Sequence, residues 1–141
     1  YKYKLIFTML KLTKKLEYAL ISIRHMQLNN NKISSAKEIA DRYMIPYEIL
    51  AKTLQHMCRL NYIISIYGPK GGYQLNSILN SITLTQFVED IEGPFGLVDC
   101  NINLDCLQTN NCNIKEPINQ INNNIRAILS NIKITDIMQH N

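Results

Sequence analysis

Three cysteines stand at equal intervals in the second half of the chain, within the stretch LVDCNINLDCLQTNNCNIKEPI. Cys100, Cys106 and Cys112 follow the pattern C-x5-C-x5-C, and no histidine lies near them in the sequence. Zinc knuckles use shorter gaps and a second pair of ligands. A loop with longer gaps can wrap around a larger object, and thiolates are the usual ligands of iron–sulfur clusters. The spacing leaves three explanations open: a cluster cradle, redox-active thiols, or inert loop cysteines.

Other catalytic chemistry is sparse in this chain. Cys58 lies beside Met57 in a helical pattern and is predicted to be a small core residue. Nucleophilic catalysis needs an adjacent base and an anion hole, and no such arrangement accompanies the spaced cysteines. We therefore expect that the protein is not an enzyme. Four cysteines in a chain without a recognisable secretion signal favour the cytoplasm over an oxidising compartment.

The charge of the chain is divided unevenly between its halves. Residues 1–70 hold twelve Lys and Arg against four Asp and Glu, whereas residues 71–141 hold three against seven. A basic first half predicts a module that binds a polyanion such as nucleic acid. No apolar run approaches the ~18 residues of a membrane span, so no membrane is expected as a partner. Residues 1–9 are interpreted as an N-terminal extension.

Periodicity and turn residues in the basic half predict a helix-turn-helix followed by a wing. Apolar residues at helical spacing predict a first helix over residues 12–28. Ser35, with Glu38 three positions later, marks the start of a second helix, and Pro46 suits the first position of a third. The segments YIISIY, GPKGG and YQL then predict a strand, a turn and a returning strand. The third helix is expected to turn inward its apolar residues Ile49, Leu50, Leu54, Met57 and Leu60.

Position within this motif assigns the expected DNA contacts. Side chains early on the third helix can reach base edges in the major groove, where Glu48 could accept from cytosine and Lys52 could contact guanine or phosphate. Lys70 at the wing tip can meet phosphate or the minor groove, and the adjacent glycines allow close approach. The expected DNA-binding residues are Lys14, Ser35, Lys37, Tyr47, Glu48, Lys52, Arg59, Lys70, Gly71, Gly72 and Tyr73.

The acidic half is predicted to contain two helices on either side of the cysteine loop. Thr83, with Gln86 at the capping position, starts the first, and Gly93-Pro94 ends it. After the loop, isoleucines recur with spacing 4-3-4-3-4, which is the 3.5-residue period of a coiled-coil seam. Packing against the same domain is the alternative to a homodimer for so short a seam. The predicted dimerisation residues are Ile114, Ile118, Ile121, Ile125, Ile128 and Ile132.

Taken together, these motifs resemble a known family. LKLTKKLEYAL, SAKEIADRYMIPYEILAKTLQ, GPKGGYQL and DIEGPFGLVDC, with the spaced cysteines, are similar to bacterial iron–sulfur transcription regulators of the IscR/NsrR type, from about residue 10 to residue 138. The resemblance implies a mostly α fold with a small β-hairpin wing, that is, a winged helix-turn-helix domain plus a long C-terminal dimerisation helix. We expect the DNA-binding domain at 10–80, the connecting helix and cysteine loop at 81–112, and the dimerisation helix and tail at 113–138.

The resemblance also implies the cluster ligands. Three would be the spaced cysteines, and the fourth varies in the family. Members of the cluster-regulator type use a histidine three residues after the last cysteine, where this chain has Lys115. Nitric-oxide-sensing members use a carboxylate on the first helix of the partner subunit, and the matching residue here is Glu17. Many members carry an arginine before the wing's Gly-Pro, where this chain has Tyr67, which leaves Lys70 as the substitute.

The sequence therefore predicts a homodimeric repressor that binds double-stranded DNA at a near-palindromic operator. Its DNA affinity would depend on an iron–sulfur cluster, with [4Fe–4S] favoured over [2Fe–2S] because three thiolates and one carboxylate are available. A change in the cluster would shift the population of dimers with correctly spaced recognition helices. The alternatives are a winged-helix repressor that uses its thiols directly or not at all, and an interaction module with a wing that no longer binds DNA.

Overall fold

A computed structural model describes residues 12–97, 106–108 and 110–137. The predicted N-terminal extension and Cys100 lie outside the described residues. The chain divides into two compact units, Tyr1–Ile78 and Leu79–Asn141. In chain order the helices and strands are α1 Lys14–Leu28, α2 Ala36–Tyr43, α3 Tyr47–Arg59, β1 Ile63–Ile66, β2 Gly72–Leu75, a 3-10 turn Ser77–Ser81, α4 Leu84–Glu92, α5 Lys115–Ser130 and α6 Ile134–Ile137.

The mostly helical architecture with a two-stranded hairpin confirms the predicted fold class. No helix within the described ranges is long and apolar enough to cross a membrane.

Helix α1 is the first described element of the first unit and packs against two other elements of it. The Thr13 hydroxyl caps it by accepting a 3.2 Å hydrogen bond from the Leu16 amide, so the helix begins two residues later than predicted. Its buried face follows helical spacing and includes Ile23 and Met26, which are at most 1% exposed. These residues pack against α3, and α1 also contacts β2.

Helices α2 and α3 form the predicted helix-turn-helix. The Ser35 hydroxyl accepts a 3.0 Å hydrogen bond from the Glu38 amide, as its capping position predicts. Met44 ends α2 in the left-handed conformation, with φ of 53°. The prediction that Pro46 opens α3 is wrong by one residue, because its extended backbone (ψ 124°) makes it the N-cap, whose carbonyl accepts from the Leu50 amide at 3.1 Å.

One predicted core position of α3 is wrong. Leu50, Leu54 and Met57 are fully buried, but Ile49 is 47% exposed. Ile49 precedes Leu50 by one residue, and one residue rotates the side chain by about 100° around the helix. That rotation places it on the flank of α3 rather than on the buried face. Leu60, the C-cap residue, is only half-buried.

The hairpin is held by the hydrogen bonds between its own strands and by a backbone contact with Ser34, in the loop between α1 and α2. Strands β1 and β2 pair antiparallel, with Ile63 opposite Leu75 and Ile66 opposite Gly72. Tyr73 also pairs with the buried Ser34: each amide donates to the other's carbonyl, at 2.8 and 3.0 Å. The hairpin is therefore attached directly to the residue that precedes the cap of α2.

The second unit is built on α4 and α5. The Thr83 hydroxyl accepts from the Gln86 amide at 3.2 Å, and Gly93 ends α4, both as predicted. Phe87 is fully buried, and Ile134 of the short helix α6 is equally buried.

The predicted continuation of the isoleucine helix to Ile132 is wrong. Helix α5 ends at Ser130, and the Ile132 carbonyl instead accepts a 2.7 Å hydrogen bond from the Leu84 amide. An isolated bridge between Thr83 and Lys133 lies beside this bond. Backbone pairing with the start of α4 therefore replaces the last helical turn.

Candidate functional site

The outer face of α3 carries the side chains expected to read DNA. Tyr47 is 55% exposed, and Glu48, Lys52 and Arg59 are also exposed. Glu48, Lys52 and Arg59 lie along the side of the helix opposite its buried face, and Tyr47 lies at its first residue. The first turn of α3 is therefore available to enter a groove, because its polar side chains are not needed to hold the domain together.

A basic surface cleft of about 460 Å³ lies on the flank of α3. Its lining combines three basic side chains, Lys15 of α1 with Lys52 and Arg59 of α3. His56 also lines the cleft, and the exposed Ile49 adds an apolar wall. The cleft extends the positive face of α3 toward α1. Sequence reasoning missed Lys15 and His56 because their proximity depends on the packing of the two helices.

The wing presents a short exposed tip. Tyr67 is 92% exposed, and Lys70 is exposed in the turn between the strands. The Gly71 amide donates to the Gly68 carbonyl at 2.9 Å, which closes the turn. Lys70 is thus displayed at the end of a hairpin, as its expected phosphate contact requires.

The two wing glycines are required by the protein's own backbone. A Cβ at Gly71 would collide with the Ile66 carbonyl oxygen, and a Cβ at Gly72 would lie 2.5 Å from the Ser34 carbonyl oxygen. Tyr73, which follows them, is half-buried, and burial raises the pKa of its hydroxyl group. These residues have structural roles in the wing that the sequence pattern alone did not indicate.

Two expected DNA contacts lie at the start of α2. Ser35 uses its hydroxyl group as the N-cap, and Lys37 is exposed on the first turn. Next to them, the asparagine-rich turn after α1 anchors the second strand: the Asn31 side chain accepts from the Leu75 amide at 2.8 Å. Asn31 has a φ of 55°, a left-handed conformation that asparagine tolerates better than most residues. The asparagines of this turn thus have a structural function.

A polar triad centred on the buried His25 joins α1 to α2. His25 is 7% exposed; its Nε2 lies 3.1 Å from Glu38 Oε1 and its Nδ1 lies 3.0 Å from the Tyr43 hydroxyl oxygen. The two rings meet edge to face, with centroids 5.5 Å apart. Little in the sequence indicated this triad. His25 follows Ser22 by three residues, and the structure shows that both lie on the buried side of α1.

We expect His25→Leu to lower the free energy of unfolding by about 1–2 kcal/mol, because it leaves the half-buried Tyr43 hydroxyl without its partner. Glu38 is 45% exposed, so water compensates for part of the loss. For a domain of this size the change corresponds to a drop in Tm of roughly 5–10 °C, measurable by thermal unfolding. Glu38→Gln keeps an oxygen for His25 and should lose clearly less; equal Tm values for His25→Leu and wild type would contradict the role of the triad.

Two of the three spaced cysteines lie within the described residues. Cys106 and Cys112 are both half-buried and neither is in a disulfide bond; the Cys106 Sγ lies 3.4 Å from Gln108 Oε1. Within the part of the chain that the structure describes, no three His, Cys, Asp or Glu side chains come together as a metal site. Cys58 is also half-buried, and burial raises the pKa of its thiol. It was predicted as a core residue and is only partly one.

Glu17 lies near the start of α1 with a side chain that is 33% exposed. Its Oε2 pairs with Lys14 Nζ at 2.9 Å, one helical turn away. The hydrogen bond from Lys14 to this carboxylate raises the pKa of Lys14. Lys14 and Glu17 were expected to contact DNA and the cluster respectively, and here they bind each other.

The isoleucine row of α5 is largely exposed. Ile114, Ile121 and Ile128 are 53%, 48% and 62% exposed, and Ile125 is 36% exposed. Ile118 and Ile132 are half-buried. Helix α5 packs on α4 through a neighbouring flank, which leaves an apolar row on the surface of the single chain.

Comparison with known proteins assigns this fold and surface to a family. The profile of Rrf2, described as an iron-dependent transcriptional regulator, matches residues 12–140. This chain belongs to the Rrf2 family. Its resemblance to the IscR/NsrR type is thereby confirmed at the level of the family.

Individual relatives of this Rrf2 protein span nearly its whole length. Protein aau3 of Rhizobium meliloti (strain 1021) is 26% identical over 132 residues, which cover 92% of this chain and 86% of that protein. CymR (YrzC), the global cysteine regulator of B. subtilis, shares the fold with a TM-score of 0.71 at 22% identity, covering 94% of this chain and 98% of its own. IscR of T. potens does so with a TM-score of 0.67 at 21% identity, covering 92% and 87%.

Membership of the family establishes the general activity. This Rrf2 protein is a transcriptional regulator and not an enzyme, as the sequence predicted. Rrf2 regulators bind DNA and typically dimerise, which agrees with the exposed face of α3 and the exposed row on α5.

Proposed function

We propose that the protein is a cytoplasmic, homodimeric repressor whose affinity for a near-palindromic operator is controlled by an iron–sulfur cluster. The observation that carries the proposal is the position of two half-buried cysteines, Cys106 and Cys112, shortly before a helix with an exposed isoleucine row. A sensing loop and a dimer interface then belong to one continuous segment. The description of the family as iron-dependent supports the same reading.

On the DNA side, the first turn of α3 would lie in the major groove. Tyr47 and Glu48 are exposed there and Lys52 is exposed in the second turn, so that these side chains would face the base edges. Lys37, Arg59 and Lys70 would contact phosphates on either side and fix the register of the helix.

On the dimer side, two copies of the isoleucine row would pack against each other. Four isoleucines that are at least 36% exposed offer an apolar strip, and removal of such a strip from water favours association. The two-fold axis would relate two α3 helices, which is the symmetry that a near-palindromic operator requires.

The donor set fits an iron–sulfur cluster. Cys100, Cys106 and Cys112 would supply three thiolates, and Glu17 of the partner subunit would supply a carboxylate; Cys106 and Cys112 are only half-buried. A [4Fe–4S] cluster held in this way would provide one iron with a weaker, more exchangeable ligand, the site at which nitric oxide, oxygen or iron loss is sensed.

Glu17 would have two alternative partners, Lys14 of the same chain and the cluster of the partner subunit. While Glu17 pairs with Lys14, the lysine is held along the surface of α1. When Glu17 turns to another partner, Lys14 becomes free for a phosphate. An exposed ion pair of this kind is weak, so either partner can displace it without a large cost in stability.

Anaerobic purification with optical spectra, iron analysis and native mass spectra tests the cluster. Wild-type protein should be coloured and carry the mass of a cluster, whereas Cys106→Ala should lose both. Its operator affinity should differ from wild type by at least about tenfold under the same salt, since one lost ligand removes the controlled state. Cys58→Ala is the matched control, because Cys58 lies in α3 outside the loop, and it should keep colour and iron.

A specific observation favours a second candidate, a repressor controlled directly by its thiols. Cys106 and Cys112 are not in a disulfide bond, and one structural neighbour is the global cysteine regulator CymR. An iron-free wild-type protein whose DNA affinity changes with thiol oxidation would support this candidate and contradict the cluster. An iron-free protein with identical DNA binding before and after oxidation would exclude both.

A further inference from the structure

Arg126, near the end of α5, holds the chain that leaves α4. Its guanidinium group forms a 2.6 Å ion pair with Glu89 Oε1, and a second nitrogen lies 3.5 Å from the Phe95 carbonyl oxygen. The same guanidinium lies 5.1 Å from the centroid of the Phe95 ring. One side chain thus contacts α4 and the segment that follows it.

Asn122 lies one helical turn before Arg126 and holds the next part of the same segment. It is 7% exposed, and its Oδ1 accepts a 3.2 Å hydrogen bond from the Leu97 amide. A buried amide is costly unless its hydrogen bonds are satisfied, so this bond explains why an asparagine is tolerated here. Among the residues of α5, all of which the structure describes, only Asn122 is buried.

These contacts lie at the entrance of the cysteine loop. In the sequence, Leu97 is three residues before Cys100. Helix α5 begins at Lys115, three residues after Cys112. The incoming arm of the loop is bound to the middle of α5, and the outgoing arm is continuous with its start. Both arms therefore depend on one helix.

We propose that Asn122 and Arg126 are positioning residues that clasp the segment ending at Leu97 onto α5 and so set the accessibility of Cys106. The proposal rests on the proposed function for its biological meaning. The clasp residues and the isoleucine row share the helix: Ile121 precedes Asn122, and Ile125 precedes Arg126, so the two faces are about 100° apart. A rearrangement of the loop that opens the clasp would be passed to the dimer interface through this rigid element.

The test uses reduced, cluster-free full-length protein and follows alkylation of each cysteine by maleimide with mass spectrometry. Asn122→Leu removes the acceptor for the Leu97 amide, Asn122→Asp keeps an oxygen in the same place, and Arg126→Gln removes the ion pair from a partly exposed site. Ser130→Ala is the matched control, because it removes the 2.9 Å bond to Thr85 at the same interface of α4 and α5 without touching the incoming arm. Cys58, in the other unit, is the internal reference thiol.

Asn122→Leu and Arg126→Gln should each accelerate alkylation of Cys106 by about tenfold relative to Cys58, the effect expected for loss of a buried hydrogen bond. Ser130→Ala should stay within about twofold of wild type, and Asn122→Asp should lie between wild type and Asn122→Leu, because it keeps the acceptor oxygen but buries a charge. Unchanged Cys106 rates in both disruptive variants, with amide exchange at Leu97 accelerated, would overturn the proposal; equal acceleration by Ser130→Ala would reduce it to general loosening. Because the assay needs no cluster, its outcome is independent of the iron analysis that tests the proposed function.

Discussion

Ile121→Glu is expected to convert the proposed dimer to a monomer and to weaken binding to the proposed operator by about 100-fold or more. Ile121 is 48% exposed in the single chain and lies in the middle of the isoleucine row. A carboxylate there would have to be desolvated against the same residue of the partner, at a site where both charges are negative. Loss of the dimer removes the second half-site contact, and such linkage commonly contributes a factor of 10² to 10⁴.

The oligomeric state is measured by analytical ultracentrifugation, and operator affinity by fluorescence anisotropy with half-site and full-site duplexes. Gln120→Glu is the matched control, since it introduces the same charge one residue earlier at an exposed position beside the row. It should remain dimeric. Half-site affinity should be nearly unchanged in Ile121→Glu, because α3 is untouched. A fully dimeric Ile121→Glu protein would show that the row does not form the interface.

Gly72→Ala is expected to lower the free energy of unfolding by about 2–3 kcal/mol and Tm by roughly 10 °C or more. The added methyl group would lie 2.5 Å from the Ser34 carbonyl oxygen and 2.7 Å from its carbon. Relief of that overlap must separate β2 from Ser34 and weaken the two backbone hydrogen bonds between Ser34 and Tyr73. The wing would then lose its fixed position beside α2, and DNA affinity should fall together with stability.

Lys70→Ala separates the two effects. Lys70 is exposed at the tip, so its removal should leave Tm within about 1 °C of wild type. Its loss should weaken binding to all duplexes and reduce the slope of log affinity against log salt by about one. Thermal unfolding and a salt titration of both variants measure this. A Gly72→Ala protein with unchanged Tm would contradict the packing of β2 on Ser34.

Local signals in the sequence were sufficient for the elements of the fold. Ser35 and Thr83 each cap a helix because a hydroxyl group at that position satisfies an unpaired amide, and this depends only on neighbouring residues. The wing followed from a β-branched strand, a glycine-rich turn and a short returning strand, which is again local. The exposed isoleucine row of α5 followed from spacing alone.

Local signals failed where another segment supplies the partner. Ile132 keeps the isoleucine spacing, but its carbonyl pairs with Leu84 of another helix, and the helix ends before it. Ile49 is apolar and close to the right phase, but the packing of α3 on α1 buries only the neighbouring face. Helical phase places a residue within about one quarter of the circumference, and packing decides the rest.

For this protein, the sequence by itself determined the family, the winged helix-turn-helix, the spaced thiols and the row of isoleucines, because each is written in consecutive or evenly spaced residues. Only the tertiary structure decided that His25 joins α1 to α2, that Gly72 must admit the Ser34 backbone, and that Asn122 and Arg126 hold the entrance of the cysteine loop. Those contacts join residues that are far apart in the chain, and composition and periodicity carry no information about which distant polar groups will satisfy one another.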